Sequence, residues 1–327
     1  MQTKFVLTQA IVYRERQPPV SQRIHTQEPM SALVSSKFGV ATESIPFVIF
    51  TCTFYSSIDD IRFQCCLAFL QACNTHRVPT VVVDASPDSS LRQSMQEAGG
   101  QFVQIYPQTA KGKKGAALRE AASHASSLQG VTEQTFLCWQ ESEKIEMVGL
   151  WAGVFDSDLV NKSTIYPDIV VPYRELTSFQ KSYPIEQYHS EKYANMYMDC
   201  VAKTYGQAML INNTLQLPVD WHFGPLAFRA SHVQLWTGPS NAGELWDAQV
   251  VPIVHGLKRG MCIRNVEVVF HTPLAMKQEE EGDLAYIEKR LFQINYLDPR
   301  VKNAWECDDP PAMPVDQQSL FCPLREE

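Results

Sequence analysis

The chain reads as an α/β protein: a doubly wound, mostly parallel central sheet flanked by helices, followed by a more irregular second half. Two observations predict this. Between residues 45 and 152, short apolar runs of strand length alternate with segments of helical spacing, the pattern of successive βαβ units. The runs also end in polar loops, which places reactive side chains at the strand ends, where open α/β sheets bind ligands.

Taken in order, residues 1–43 are polar, carry Pro18, Pro19 and Pro29 and lack periodicity, so they are expected to form an extension. Residues 44–152 form the first half. Phe47-Val48-Ile49-Phe50 is a buried strand, and Asp59 to Asn74 is an amphipathic helix. Thr80 to Val83 is a second strand, and Ser89 to Ala98 a helix stopped by Gly99-Gly100. Gln101 to Tyr106 is a third strand, followed by a basic loop and an alanine-rich helix, and Phe136-Leu137-Cys138-Trp139 is a fourth strand. In the second half, residues 153–300, Ile169 to Pro172 and Cys262 to Phe270 read as strands. Tyr183 to Tyr205, Glu244 to Gly256 and Asp283 to Asn295 read as helices. Residues 301–327 form a Pro-rich C-terminal tail, and its part from Cys307, with Pro310, Pro311, Pro314 and Pro323, is expected to be a loose strap.

Composition narrows the function classes. The 327 residues are 45% apolar and 20% charged, an ordinary globular balance with room for one large domain or one domain with an elaborated second half. A net charge of -8 gives a nucleic-acid partner no global electrostatic support. No apolar run approaches the roughly 20 residues needed to span a bilayer, and polar Thr8 and Gln9 interrupt the apolar start, so no signal peptide is expected. The nine cysteines form no C-x-x-C pair and mostly sit in apolar runs. They are read as reduced core thiols, which together favour a cytoplasmic protein.

The stretch Lys111-Gly112-Lys113-Lys114-Gly115, opening directly into Ala116-Ala117-Leu118-Arg119-Glu120-Ala121-Ala122, carries the most chemistry. Ammonium groups, loop amides and the positive end of a helix together suit a diphosphate. It is not a Walker A loop, since no Ser or Thr follows the lysines at the required spacing. Strand, helix, a strand ending in Asp84, then this loop and its helix is the opening of a sugar-nucleotide binding domain. The fourth strand ends in Gln140-Glu141-Ser142-Glu143-Lys144. An E-x-E pair there can hold a divalent cation that bridges two phosphates, or it can be a solvated charged turn. His271, after a late apolar strand, is either a third ligand or a structural histidine.

Together these residues resemble the GT-A glycosyltransferases, over roughly residues 45–295, and most closely the family-2-like and mannosylglycerate-synthase-like members. The resemblance implies a nucleoside contact at Asp84 and a diphosphate loop over Lys111 to Gly115, with Lys113 or Lys114 as its lysine. It implies a D-x-D-type metal motif at Glu141-Ser142-Glu143, a late metal-binding His271, and a Mn²⁺ or Mg²⁺ cofactor. Glu141 counts among the donor contacts as well. Both aspartates of D-x-D are glutamates here, and Lys144 beside them is a candidate to replace part of the cation's charge. Asp247 would face the reaction centre, as base for an inverting transfer or as donor-orienting carboxylate for a retaining one. The acceptor would be held by Arg174, Tyr183, Gln187, Tyr188 and the loop Asp220-Trp221-His222-Phe223-Gly224-Pro225, Arg174 offering a bidentate fork to a carboxylate or phosphate.

The expected activity is transfer of a hexose from GDP-mannose or a UDP-sugar to a small hydroxylated acceptor, assisted by the cation. A homo-oligomer is compatible with this. Two rivals remain: a non-catalytic protein that keeps the fold for sugar-nucleotide or partner binding, and a nucleotidyltransferase. The latter is disfavoured because Thr51-Cys52-Thr53-Phe54-Tyr55, after the first strand, contains no glycine or basic residue.

Overall fold

The computed structural model describes residues 45–157, 167–212, 214–238 and 241–307. The expected extension, the tail beyond residue 307 and the sequon Asn161 lie outside them. The first half contains β1 (Phe47–Thr53), α1 (Ile61–His76), β2 (Thr80–Asp84), α2 (Ser89–Gly99), β3 (Val103–Pro107), α3 (Lys114–Ser126), β4 (Phe136–Trp139) and α4 (Met147–Asp156). The second contains β5 (Ile169–Arg174), α5 (Leu176–Ser182), α6 (Ile185–Tyr205), α7 (Gln207–Ile211), β6 (Leu226–Arg229), α8 (Gln234–Thr237), α9 (Asp247–Lys258), β7 (Ile263–Val268), α10 (Leu274–Glu280) and α11 (Leu284–Glu306).

The strands form one sheet in the order β3-β2-β1-β4-β6-β5-β7. Every pair is parallel except those made by β6, which runs antiparallel to both β4 and β5. The expected doubly wound, mostly parallel sheet is therefore present. Its register aligns the strand ends that matter: Thr53 pairs with Asp84 and Asp84 with Pro107. The reversed β6 pairs its first residue, Leu226, with Trp139, the last of β4. That pairing brings the loop before β6 to the edge where β4 ends, so Gly224 meets Glu141.

Two apolar layers cover the sheet. On one face Val48, Phe50, Leu137 and Phe228 pack with Ala117, Leu118 and Ala121 of α3 and with Val250 and Val254 of α9. On the other, Ile49, Val82 and Cys138 pack with Phe63, Phe69 and Leu70 of α1 and with Val148 and Trp151 of α4. Asp60 caps α1 through the Arg62 N–H (2.8 Å) and Asp88 caps α2 through the Ser90 N–H (2.8 Å), each satisfying an amide that the helix start leaves open.

Some expectations change. β6 is only four residues long and follows Pro225, too short for alternation to register. Helix α4 is nearly apolar throughout, so it shows little polar face to mark it as a helix. Helix α11 runs on to Glu306, past the expected helix end at Asn295 and into the residues assigned to the tail. Cys52, Cys65, Cys66, Cys73, Cys138, Cys200 and Cys262 are free, but Cys200 is exposed and Cys307 is disulfide-bonded, against the expectation of uniformly reduced core thiols. Among the described residues, no helix is long and apolar enough to cross a membrane.

The start of α3 is fixed by backbone contact with the segment leading into α9. The Gly115 N–H donates to the Glu244 carbonyl (2.8 Å), and Arg119 Nη1 donates to the carbonyls of Asn241 (3.0 Å) and Gly243 (2.7 Å). A Cβ at Gly115 would stand 2.0 Å from the Gly243 oxygen, and a backbone carbonyl cannot swing aside as a side chain can. Gly115→Ala is accordingly expected to lower the unfolding free energy by about 1–3 kcal/mol through overpacking. Gly149→Ala, within α4 where a Cβ would meet nothing within 4 Å, is the control and should gain about 0.5–1 kcal/mol. Urea titration of both variants measures the difference; equal stability would show that the two segments separate freely.

Candidate functional site

The carboxyl ends of β1, β2 and β4 and the loop preceding α3 meet at one edge of the sheet. Helix α3 begins at Lys114 with no side-chain cap. Its early amides are already occupied: Gly115 by the Glu244 carbonyl, Ala116 and Ala117 by the Lys113 carbonyl. The helix start therefore offers a phosphate fewer free N–H groups than the sequence suggested, and the lysine side chains carry the positive charge. Lys111 is exposed. Lys113 Nζ pairs with Glu244 at 2.9 Å, both side chains being exposed, so the pair is readily exchanged for a ligand. Lys114 Nζ lies 3.1 Å from Glu141 Oε1 and over the Trp139 ring at 5.4 Å.

Asp84 is buried at the end of β2 and is engaged within the protein. Its Oδ1 accepts from Thr53 (2.8 Å) and Ser86 (2.6 Å), and its Oδ2 from Arg92 (3.1 Å). It shapes the strand end and does not present the open carboxylate expected of a nucleoside contact. Arg92, which sequence reasoning missed, holds the outer side of this knot.

The E-x-E turn is surrounded by cations. Glu141 is half-buried; burial raises its pKa, but Lys114 and then Lys144 outweigh burial and hold the carboxyl below its usual range. Its Oε2 is buried without a hydrogen-bond partner against Gly224, where a Cβ would stand 2.3 Å from that oxygen at a φ of +101°. Only glycine accepts both the left-handed backbone and that approach. Glu143 Oε1 receives Arg62 Nη1 at 3.2 Å, and Arg62 also bonds Glu280. Lys144 places its ammonium over the rings of Tyr183 (5.8 Å), Phe223 (5.3 Å) and Phe270 (5.7 Å), within cation–π range. Burial disfavours that charge, yet Tyr183 and Glu141 offset it and raise the Lys144 pKa. Cys52 packs beneath Lys114, and burial pushes its thiol up to about 12, so it offers no thiolate nucleophile.

The ligand set implied for a divalent cation does not fit. His271 donates its backbone N–H to Glu146 (2.8 Å) and sets Nδ1 3.3 Å from the same carboxylate, half exposed and apart from the E-x-E pair. Glu141 and Glu143 are each matched to a protein cation. Among the described residues, no group of three or more His, Cys, Asp or Glu is placed to hold a metal. The three predicted metal ligands are thus not brought together, because each has a closer partner within the fold.

Asp247 begins α9 fully buried. Its Oδ1 accepts from the N–H groups of Leu245 (2.9 Å) and Ala248 (3.1 Å), and its Oδ2 accepts from Tyr296 (3.1 Å) and lies 3.3 Å from Arg300 Nε. A general base needs an accessible lone pair; here the Asp247 carboxylate is engaged in fastening α9 to α11.

The expected acceptor residues form a buried ionic knot. Arg174 donates from Nε and Nη2 to both oxygens of Asp220 (2.7 and 2.8 Å) and from Nη1 to Glu191 (2.9 Å). Its guanidinium also lies over Phe179 (3.5 Å), Tyr183 (4.8 Å) and Phe223 (4.9 Å). Asn195 donates to Asp220 (2.6 Å) and Arg290 pairs with Glu191 (3.0 Å). Trp221 is buried and donates to Asp199 (3.0 Å). His222 is buried with neither ring nitrogen hydrogen-bonded, and burial lowers its pKa to about 4, so it is neutral near pH 7. Tyr183, Gln187 and Tyr188 are also buried. Arg174, Asp220, Trp221 and His222 hold the chain together and present no open face to an acceptor; Gly224 remains at the site edge because of its contact with Glu141.

No protein-family model matches the chain, and no curated protein matches it. Among solved structures it is similar to a mycobacterial protein (13% identity, 76% of this chain and 74% of that chain, TM-score 0.41). It is also similar to glucosyl-3-phosphoglycerate synthase of M. tuberculosis (11%, 76% and 80%, TM-score 0.41). A complex of that enzyme with Mn²⁺, UDP and glucosyl-3-phosphoglycerate matches alike (11%, 76% and 79%, TM-score 0.40). Likeness at this level carries nothing about chemistry, which rests on the side chains described above.

The knot around Arg174 has a pH signature. Burial raises the pKa of Asp220 and Glu191, but Arg174 outweighs it and leaves both below their usual values. Carboxyls depressed in the folded state contribute stability above their unfolded pKa of about 4, and lose it as pH falls through the folded values. Arg174→Met should therefore cost about 3–5 kcal/mol at pH 7 by stranding buried carboxylates. The gap to the parent should narrow below about pH 4, where both can protonate. Urea unfolding at pH 7 and at pH 3.5 tests this; a gap that does not change with pH would mean the knot is not ionic.

Proposed function

We propose that the chain is a nucleotide-sugar-dependent glycosyltransferase moving a hexose from GDP-mannose or a UDP-sugar to a small hydroxylated acceptor. The observation that carries this reading is the convergence of the Lys111–Gly115 loop with Glu141 at the carboxyl edge of a mostly parallel sheet, through the 3.1 Å Lys114–Glu141 pair. That edge is where such sheets bind ligands, and the loop supplies ammonium groups suited to a diphosphate.

The transfer breaks the bond between the sugar's anomeric carbon and the diphosphate oxygen, and the electron pair leaves with the diphosphate. The acceptor hydroxyl oxygen forms the new bond to that carbon. Its proton is assigned to the departing diphosphate, since Asp247 is closed off by Tyr296 and Arg300. Lys111, Lys113 and Lys114 bind and neutralise the leaving group, an electrostatic contribution that grows as negative charge develops. Asp247 acts at a distance, keeping α9 and the Gly243–Glu244 segment against the loop.

A second reading has its own support. A protein that binds a nucleotide without turnover would also tolerate internally paired carboxylates at E-x-E and a closed Asp247. Release of nucleoside diphosphate from UDP-glucose and GDP-mannose, measured with a panel of hydroxy acids, sugars and phenols, separates the two. The transferase reading expects acceptor-dependent release, reduced about a hundredfold by Lys114→Met, equivalent to about 2.7 kcal/mol of transition-state stabilisation. Nucleotide binding without release under every condition would favour the non-catalytic reading.

A further inference from the structure

We propose that Lys144, together with Lys114, stands in for the divalent cation, so that this chain binds the diphosphate of its donor without a metal. The proposal rests on the glycosyltransferase reading above and adds a residue to its donor site.

Charge balance is the first argument. The two carboxylates of the E-x-E turn, Glu141 and Glu143, share their edge with three cations: Lys114 at 3.1 Å from Glu141, Arg62 at 3.2 Å from Glu143, and Lys144, whose backbone N–H closes the turn onto the Glu141 carbonyl at 3.0 Å. Arg62 is further shared with Glu280, which Arg290 approaches at 3.8 Å. A divalent cation is bound by surplus negative charge on several oxygen ligands. Here the turn itself is balanced towards positive, and Lys111 adds to that from the neighbouring loop, where Lys113 is matched by Glu244. Such a site attracts a diphosphate and repels a metal ion.

Placement is the second. Lys144 is not a loose surface lysine. Tyr183, Phe223 and Phe270 present their rings to its ammonium from the link between α5 and α6, the loop before β6 and the chain leaving β7. Lys114 pairs with Glu141 at 3.1 Å, Lys144 closes the same turn through its backbone N–H to the Glu141 carbonyl (3.0 Å), and Gly224 confines the carboxylate from another side. Two ammonium groups held at this one edge, Lys114 by Glu141 and Lys144 by the three rings, form a pre-organised cationic seat that would supply the charge a metal ion supplies to a diphosphate.

Equilibrium titration of the full chain with UDP, GDP, ADP and TDP, each in EDTA and in Mn²⁺, tests this directly. One nucleotide is expected to bind with dissociation constants within threefold in the two conditions. Lys144→Met should weaken that binding at least tenfold in EDTA while leaving the thermal midpoint nearly unchanged, and Lys144→Arg should restore part of it. If Lys144→Met fails to fold, Lys114→Met serves the same purpose. Glu143→Gln gives an opposite sign to the two mechanisms: it should leave binding equal or tighter, because it frees Arg62, whereas a metal ligand's loss would weaken binding in Mn²⁺. Binding that improves more than tenfold with Mn²⁺, or that is indifferent to both lysine variants, overturns the proposal and leaves the glycosyltransferase reading standing. Failure of all four nucleotides to bind in either condition overturns both.

Discussion

The guanidinium of Arg174 organises the second half of the molecule. It ends β5, grips the loop before β6 through both oxygens of Asp220, and reaches α6 through Glu191, which Arg290 of α11 also holds. Three elements far apart in sequence are thus tied at one buried charge. Removing such ions from water is expensive, and a buried ion pair adds little net stability over an apolar replacement. What it supplies is position: five N–H donors in a rigid plane admit one arrangement of carboxylates.

That arrangement propagates to the sheet edge. Tyr183 and Phe223 lie under the Arg174 guanidinium and also present faces to Lys144. The same two rings therefore separate two cations and fix the distance between the structural knot and the E-x-E turn. One residue beyond Phe223, Gly224 turns with positive φ and confines Glu141. Because β6 runs antiparallel and pairs Leu226 with Trp139, this loop arrives beside the end of β4. The site's geometry thus depends on the one reversed strand.

Much of the first half was legible because its signals are local. β1, β2 and β4 are each built on a short apolar run, and α1 and α2 open on the capping aspartates Asp60 and Asp88, signals that a window of residues reveals. The basic loop before α3 was legible for the same reason. The partners of the candidate residues were not. Nothing near Glu143 in sequence points to Arg62, 81 residues away, and nothing near Asp247 points to Tyr296 and Arg300 on α11. Arg174 looked like a recognition fork because its chemistry fits one; that Asp220, Glu191 and three aromatic rings fill the fork depends on tertiary packing. A motif names the side-chain types a reaction needs, but their availability depends on charges supplied from elsewhere in the chain.

The glutamates at E-x-E illustrate the point. An aspartate carboxylate stands one methylene closer to the backbone and suits a cation seated tightly against the turn. A glutamate extends outward, and here the extra reach is used: Glu141 meets Lys114 across the edge to α3, and Glu143 meets Arg62 across to α1. Each carboxylate thereby ties the β4 turn to a neighbouring helix. A carboxylate committed to a protein cation has less negative potential to offer a metal, while the cation remains within reach of a phosphate, whose charge competes for it at short range. The reach that ties Glu141 to Lys114 and Glu143 to Arg62 is what gathers those cations around the turn.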